Sequence, residues 1–164
     1  MGIFELTLII ATLLCSLLAG LVFAFAVVVM PGIATLGDGA FLRAFQVIDR
    51  VIQRNQPLFL LVWIGSAIAL LASAALGFGQ LDGTGRLLMV AAVLLYLLGV
   101  QVPTVTINIP LNNTVQAVEI EAMDKTALAA ARQAFESRWN TWNSIRTVLA
   151  IVVSVLLLVL LLRL

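Results

Sequence analysis

Two short stretches of this chain carry polar side chains inside apolar surroundings: TVTINIPLNN at residues 104–113 and WNTWNSIR at residues 139–146. They supply amides at Asn108, Asn112, Asn113 and Asn143, a guanidinium at Arg146, and indoles at Trp139 and Trp142. Preorganised donors of this kind stabilise negative charge developing on an oxygen, most strongly in a dry pocket. Indoles offer a face on which a planar ring can stack. The chain has no histidine and a single cysteine, Cys15. Ser-His-Asp and Cys-His arrangements are therefore excluded, as are an internal disulfide and the usual zinc, haem and di-iron ligand sets. No metal and no cofactor is expected, and no glycine-rich phosphate loop is visible. Catalysis, if any, must work by positioning and by amide and guanidinium electrostatics, with or without one carboxylate.

The elements that position these groups follow from hydropathy. Of 164 residues, 63% are hydrophobic and 10% charged, with a mean hydropathy of +1.17. Soluble domains run at roughly 45–50% apolar and about 25% charged, so the chain is an integral membrane protein of one domain. A net charge of +1 without a basic tract gives no nucleic-acid signal. Four apolar runs are long enough to cross a bilayer, which takes about 20 helical residues. They place spans at about residues 6–30, 58–79, 87–109 and 143–163. The first is read as a span and not a cleaved signal, because MGIFE lacks a basic residue and the run is too long. In the fourth, the uninterrupted apolar part rises only about 24 Å of a roughly 30 Å core, which draws Asn143 and Arg146 to the membrane boundary. The fold class expected is all-α: a four-helix transmembrane bundle with an additional amphipathic helical connector.

Small residues recur every four positions at Thr12, Ser16, Gly20 and Ala24, and again at Gly65, Ala69, Ser73 and Gly77. Such stripes form flat ridges on which helix backbones approach closely in lipid. Residues 80–86, QLDGTGR, form a tight turn. In 38–56, Phe41, Phe45, Ile48 and Ile52 fall near one face, with Arg43, Gln46, Arg50 and Arg54 largely opposite. That pattern predicts an amphipathic helix lying on the membrane surface, outside the core. Asp124 is a plausible N-cap for a helix that runs directly into the fourth span.

With four crossings, one end of the bundle collects the polar residues. It holds Arg54 and Asn55 before span two, Gln101, Asn108, Asn112 and Asn113 at the end of span three, and the 139–146 stretch. Trp139, Trp142, Asn143 and Arg146 stand at i, i+3, i+4 and i+7 and share a helix face. Gln101, Asn108 and Asn112 share another if the helix tolerates Pro103 and Pro110. Non-helical backbone at membrane depth survives only where protein or a water-lined cavity receives it. Asn108 and Arg146 should therefore face inward and meet one another or a ligand. Tryptophan and arginine at a helix end are also ordinary interfacial anchors, and interhelical asparagines can be simple glue. Glu119, Glu121 and Asp124 read as a solvated acidic patch, and Glu136 as the partner of Arg132.

At Pro110-Leu111-Asn112-Asn113 and at Trp139-Asn140-Thr141-Trp142-Asn143-Ser144-Ile145-Arg146, set among four spans, the chain resembles the small membrane family that includes the anthrone oxygenases. The resemblance implies oxidation of a tricyclic anthrone to an anthraquinone with dioxygen and with neither metal nor flavin. It marks Asn112, Asn113, Trp139, Trp142, Asn143 and Arg146. The candidate catalytic residues are Arg146, Asn143 and Asn112, and the candidate substrate-binding residues are Arg54, Asn55, Asn108, Asn113, Trp139 and Trp142. The partners expected are membrane lipid and a flat apolar small molecule, with no nucleic acid; the sequence does not decide between a single copy and an oligomer. The alternative is a non-enzymatic membrane scaffold or a small-molecule- or lipid-binding protein. Connectors 31–57 and 110–146 carry seven basic residues, against Arg86 and Arg163 on the other side. The positive-inside rule then gives a multi-pass protein of the cell membrane with both termini outside the cytoplasm.

Overall fold

A computed structural model describes residues 2–164, and these form five helices. They are α1 (Ile3–Ala34), α2 (Asp38–Gln53), α3 (Pro57–Gly77), α4 (Gly83–Gln116) and α5 (Lys125–Leu162). No strand occurs among the described residues. Helices α1, α3, α4 and α5 are long and apolar enough to cross a membrane. The expected all-α bundle with four spans is what forms.

The helix starts follow local chemistry. Pro57 opens α3, where its missing N–H costs nothing, and the Gln56 side chain accepts from the Phe59 N–H. Asp82 caps α4 by accepting from the Gly85 N–H at 2.6 Å. Asp124 caps α5 in the same way, through the Ala127 N–H at 2.8 Å. From there α5 continues without a break through 38 residues. At about 1.5 Å per residue it is far longer than the roughly 30 Å hydrocarbon core, so its N-terminal part stands clear of the membrane.

Two hydrophobic cores result. The larger lies within the spans, where α1 packs on α3 and α5, and α5 on α4. Leu8, Cys15, Leu70, Met89, Tyr96 and Leu157 are all fully buried there. In the second stripe, Gly65 and Gly77 do face α1, against Leu14 and Phe4. At Gly77 an added Cβ would lie 2.2 Å from the Phe4 ring. The stripe on α1 does not behave as expected: Gly20 is exposed with open space around it. Phe4, Leu8, Ala11 and Cys15 make that helix's packing surface instead.

The smaller core caps one end of the bundle and joins Met30, Phe41, Phe45, Val115, Phe135 and Trp139. It corrects the expectation for α2, whose apolar face is covered by α4 and α5 and not by lipid. Gln46, expected on the solvated face, is 2% exposed. Its amide donates to the Val115 carbonyl at 2.8 Å and the Val118 carbonyl at 2.9 Å. Carbonyls in the last turn of a helix lack intrahelical partners, and Gln46 satisfies them at the end of α4. Arg132 does the same for α1, donating to the Ala34 and Leu36 carbonyls at 2.9 Å each. It also holds Glu136 at 2.6 Å, the pairing expected, and lies over the Phe41 ring. In the acidic patch, Glu119 is exposed and Glu121 pairs with Arg43.

A cavity between two cores

Between the two cores lies a cavity of about 230 Å³. Leu18, Val22 and Val100 line it from the membrane core, and Phe45 and Trp139 from the cap. Ligand pockets usually run to roughly 300–1,000 Å³, so this one has room for one small molecule.

The prolines shape it. Pro31, Pro103 and Pro110 each stand two residues beyond a π-helical turn, at Phe25–Val29, Leu97–Gln101 and Thr104–Asn108. In each case the residue before the proline bonds the carbonyl five back: Met30 to Phe25, Val102 to Leu97, and Ile109 to Thr104. A proline ring collides with the carbonyl four residues back, and a widened turn makes room for it. Each such turn also advances the following face by about one residue, roughly 100°. Phe25, Val100, Thr104 and Asn108 come from these three turns, and all four line the cavity.

Polar groups enter its wall as two networks. In the first, Arg146 donates through Nη1 to Thr104 Oγ1 at 2.8 Å and through Nη2 to Asn143 Oδ1 at 2.9 Å. Asn143 in turn donates to the Val22 carbonyl at 3.0 Å, just before the widened turn of α1. In the second, Trp139 Nε1 donates to Asn112 Oδ1 at 2.8 Å, and Asn112 Nδ2 donates to Asp49 Oδ1 at 2.7 Å. Gln53 and Gln116 donate to Asp49 Oδ2 at 2.7 and 2.9 Å. Asp49 is 3% exposed. Burial pushes its carboxyl above the ordinary pKa range, opposed by the hydrogen bonds from Gln116, Gln53 and Asn112. Among the described residues three buried side-chain atoms have no partner: Nδ2 and Oδ1 of Asn108 and Nε of Arg146.

Most of the residues singled out from the sequence meet here. Arg146, Asn143, Asn112, Asn108, Asn113, Asn55 and Trp139 all line the cavity, Asn55 and Asn113 from exposed positions. Asn55 holds a left-handed backbone with φ of 58°, a conformation asparagine tolerates better than most residues. Arg54 is exposed and Trp142 half-buried, and neither lines the cavity. Asn108 and Arg146 both face inward but do not bond one another. Gln101, expected beside Asn108 and Asn112, is turned to α3, where it accepts from the Trp63 indole at 2.7 Å. Sequence reasoning missed Asp49, Gln53 and Thr104. A signal for Asp49 was available: it stands four and eight residues beyond Phe45 and Phe41, on the apolar face of α2. No group of three or more His, Cys, Asp or Glu able to hold a metal occurs among the described residues.

Four helices long and apolar enough to cross a membrane, closed by a helical cap with a small polar-studded cavity between them, define a polytopic membrane protein. Residues 45–156, just over two thirds of the chain, match the anthrone oxygenase family, and the protein belongs to it. No curated protein and no solved structure matches the chain significantly.

Proposed function

We propose that the cavity binds a flat, apolar, enolisable ketone of the anthrone type and that the chain oxidises it with dioxygen, without a cofactor. The observation that carries this reading is the open set of donors and acceptors at Asn108 and Arg146. An unsatisfied buried polar group costs about 1–3 kcal/mol, and a native protein keeps one for a reason. A substrate oxygen that accepts from Arg146 Nε or from the Asn108 amide removes part of that cost. The same donors hold the oxygen more tightly once it carries the charge of the enolate, which is the condition for catalysis. The aromatic wall made by Phe25, Phe45, Phe59, Trp63 and Trp139 suits planar rings.

The overall change balances without a further reagent. Two C–H bonds of the methylene break and one oxygen atom of dioxygen enters as the new carbonyl. The other oxygen leaves as water, and four electrons pass from carbon to oxygen. The enolate carbon itself reduces dioxygen, through a hydroperoxide that loses water.

A second reading rests on the closed half of the cluster. The ties from Asn143 to Val22 and from Arg146 to Thr104 join α5 to α1 and α4, as a scaffold or a lipid- or small-molecule-binding protein requires. One experiment separates the two. Purified protein in detergent, given anthrone in air, takes up oxygen and forms the quinone, and does so in the presence of a strong chelator. Oxygen uptake equal to the protein-free control across several anthrones rejects the oxygenase and leaves the scaffold. In the membrane the bundle faces lipid through exposed side chains such as Leu13, Val28, Leu98 and Val148. Arg146 is buried in the site and is no topology signal, yet Arg43, Arg50, Arg54, Lys125, Arg132 and Arg138 still outweigh Arg86 and Arg163. That excess supports an orientation with both termini outside the cytoplasm.

A further inference from the structure

We propose that Asp49 is the base that removes the substrate's methylene proton, so that the cavity works between a carboxylate at one pole and the Arg146 guanidinium at the other. The inference rests on the oxygenase reading and adds the residue that starts the reaction. Asp49 and Arg146 are the two charged side chains in the cavity wall. They do not pair with one another: the salt bridges among the described residues involve Arg43, Arg132 and Arg163. Asp49 is held at α4 by Asn112 and Gln116, and Arg146 by Thr104. Thr104 and Asn112 are about 12 Å apart along that helix at 1.5 Å per residue. The gap is the place for the substrate, with the unpartnered Asn108 between the poles. An anthrone carries its acidic methylene and its carbonyl on opposite edges of the central ring. One edge can therefore meet a base while the other meets the donors.

The carboxylate has room for a proton. An ionised carboxylate offers about four acceptor positions, two on each oxygen. Oδ2 takes donors from Gln53 and Gln116, whereas Oδ1 takes only Asn112 and keeps one position open. No cation neutralises Asp49, and burial raises its pKa, which makes it a stronger base than a solvated carboxylate. Its contacts on α2 and α4 are the neutral amides of Gln53, Asn112 and Gln116. From α5, Trp139 reaches it only through Asn112, and Arg146 shares the cavity. Arg50 and Arg54 on its own helix are exposed. The acid limb of the reaction therefore belongs to Asp49. In the step itself the methylene C–H breaks, its proton goes to Asp49 Oδ1, and the electron pair spreads onto the carbonyl oxygen. The former methylene carbon then forms a C–O bond with dioxygen, which takes up the electron pair as a peroxide. The proton returns to the terminal peroxide oxygen; loss of the second methylene proton then breaks the O–O bond, forms the new carbonyl and releases water.

The test isolates proton removal from oxygen chemistry. The protein is mixed with anthrone under argon in deuterated buffer, and methylene exchange is followed by mass spectrometry; tryptophan quenching reports binding. Asp49→Asn is expected to bind anthrone within about threefold of the wild type and to exchange it about a hundredfold more slowly. Asp49→Glu recovers part of the exchange. Wild-type exchange falls as pH drops through the Asp49 pKa, whereas Asp49→Asn lacks that limb. If Asp49→Asn does not fold, the wild-type acid limb and the exchange by Asp49→Glu still decide: absence of both overturns the assignment. Undiminished exchange by Asp49→Asn overturns the base alone, and wild-type oxidation in air then still upholds the oxygenase. A wild type that neither binds, exchanges nor oxidises anthrone overturns both.

Discussion

Replacing Arg146 by methionine tests whether the guanidinium serves a ligand or the fold. The side chain is 6% exposed and makes two hydrogen bonds, at 2.8 Å to Thr104 and 2.9 Å to Asn143. Hydrogen bonds to a charged group are worth about 1.5–3 kcal/mol each, so the substitution removes roughly 3–6 kcal/mol of favourable contact. Against this stands the cost of burying a cation, several kcal/mol after relaxation. Thr104 Oγ1 and Asn143 Oδ1 each lose the donor that Arg146 gave them, while Thr104 keeps the bond it donates to the Val100 carbonyl at 2.7 Å. Methionine also fills much of the vacated space as a flexible apolar chain. The opposing terms are of similar size, and Arg146→Met is expected to accumulate in the membrane as wild type does. Function has no such compensation. Removing one preorganised donor to a developing oxyanion costs about 10²–10³ in rate, and anthrone-dependent oxygen uptake should fall by that factor. The control is Val148→Met, on an exposed position of the same helix at 61% accessibility, which should change neither quantity. A variant that oxidises anthrone at the wild-type rate would refute the donor role. One that fails to accumulate would show that the arginine holds the bundle together.

Asn108→Leu removes two buried unpartnered atoms. The empty protein should gain about 1–3 kcal/mol in denaturant titrations in detergent, while anthrone binding by tryptophan quenching weakens at least about tenfold. Gly77→Leu drives a side chain into the Phe4 ring, which a Cβ alone would approach to 2.2 Å. It should destabilise the bundle by about 1–3 kcal/mol and leave the oxygen uptake of the folded fraction unchanged, since Gly77 is remote from the cavity. A C-terminal reporter active only in the cytoplasm should stay dark; a bright one reverses the orientation argued from basic residues.

The four spans were legible because burial in lipid needs length and apolarity, both written into contiguous residues. The cap at Asp124 was legible for the same local reason. What the sequence concealed depends on contacts between distant segments or on departures from a 3.6-residue period. Gln101 reads as a neighbour of Asn108 on a regular helix, but the π-helical turns before Pro103 and Pro110 shift that register and send Gln101 to Trp63. Trp142 shares a helix face with Trp139 by spacing, yet three residues on it leaves the cavity, whereas Asn143 and Arg146 stay in it. Gln46 looks like the solvated side of a surface helix, and Asp49 stands unremarked on its apolar face. The partners that bury them, Val115, Val118, Asn112 and Gln116, lie more than sixty residues further along the chain. A polar residue on the apolar face of an amphipathic helix is the trace such tertiary burial leaves.

The place of the cavity in the bundle bears on its chemistry. Arg146 lies at the start of an apolar run that just falls short of spanning the membrane, so the site sits at the boundary, with lipid on one side and the α2 cap on the other. An apolar ketone and dioxygen both concentrate in hydrocarbon, whereas protons move through water. On the proposed chemistry the guanidinium pole lines the cavity together with Val22 and Val100 of the membrane core, where low polarity would strengthen its hold on an enolate. The carboxylate pole borders the cap, where Gln53 and Asn113, bonded to one another at 3.2 Å, are exposed. Reversing the poles would strand the abstracted proton in the dry end and leave the anion beside water, which weakens the very donors that stabilise it. On the proposed chemistry the amphipathic helix has a reason to lie over the cavity and not on the lipid surface: it would bring the buried carboxylate of Asp49 to the water side of a site whose electrons pass to dioxygen on the membrane side.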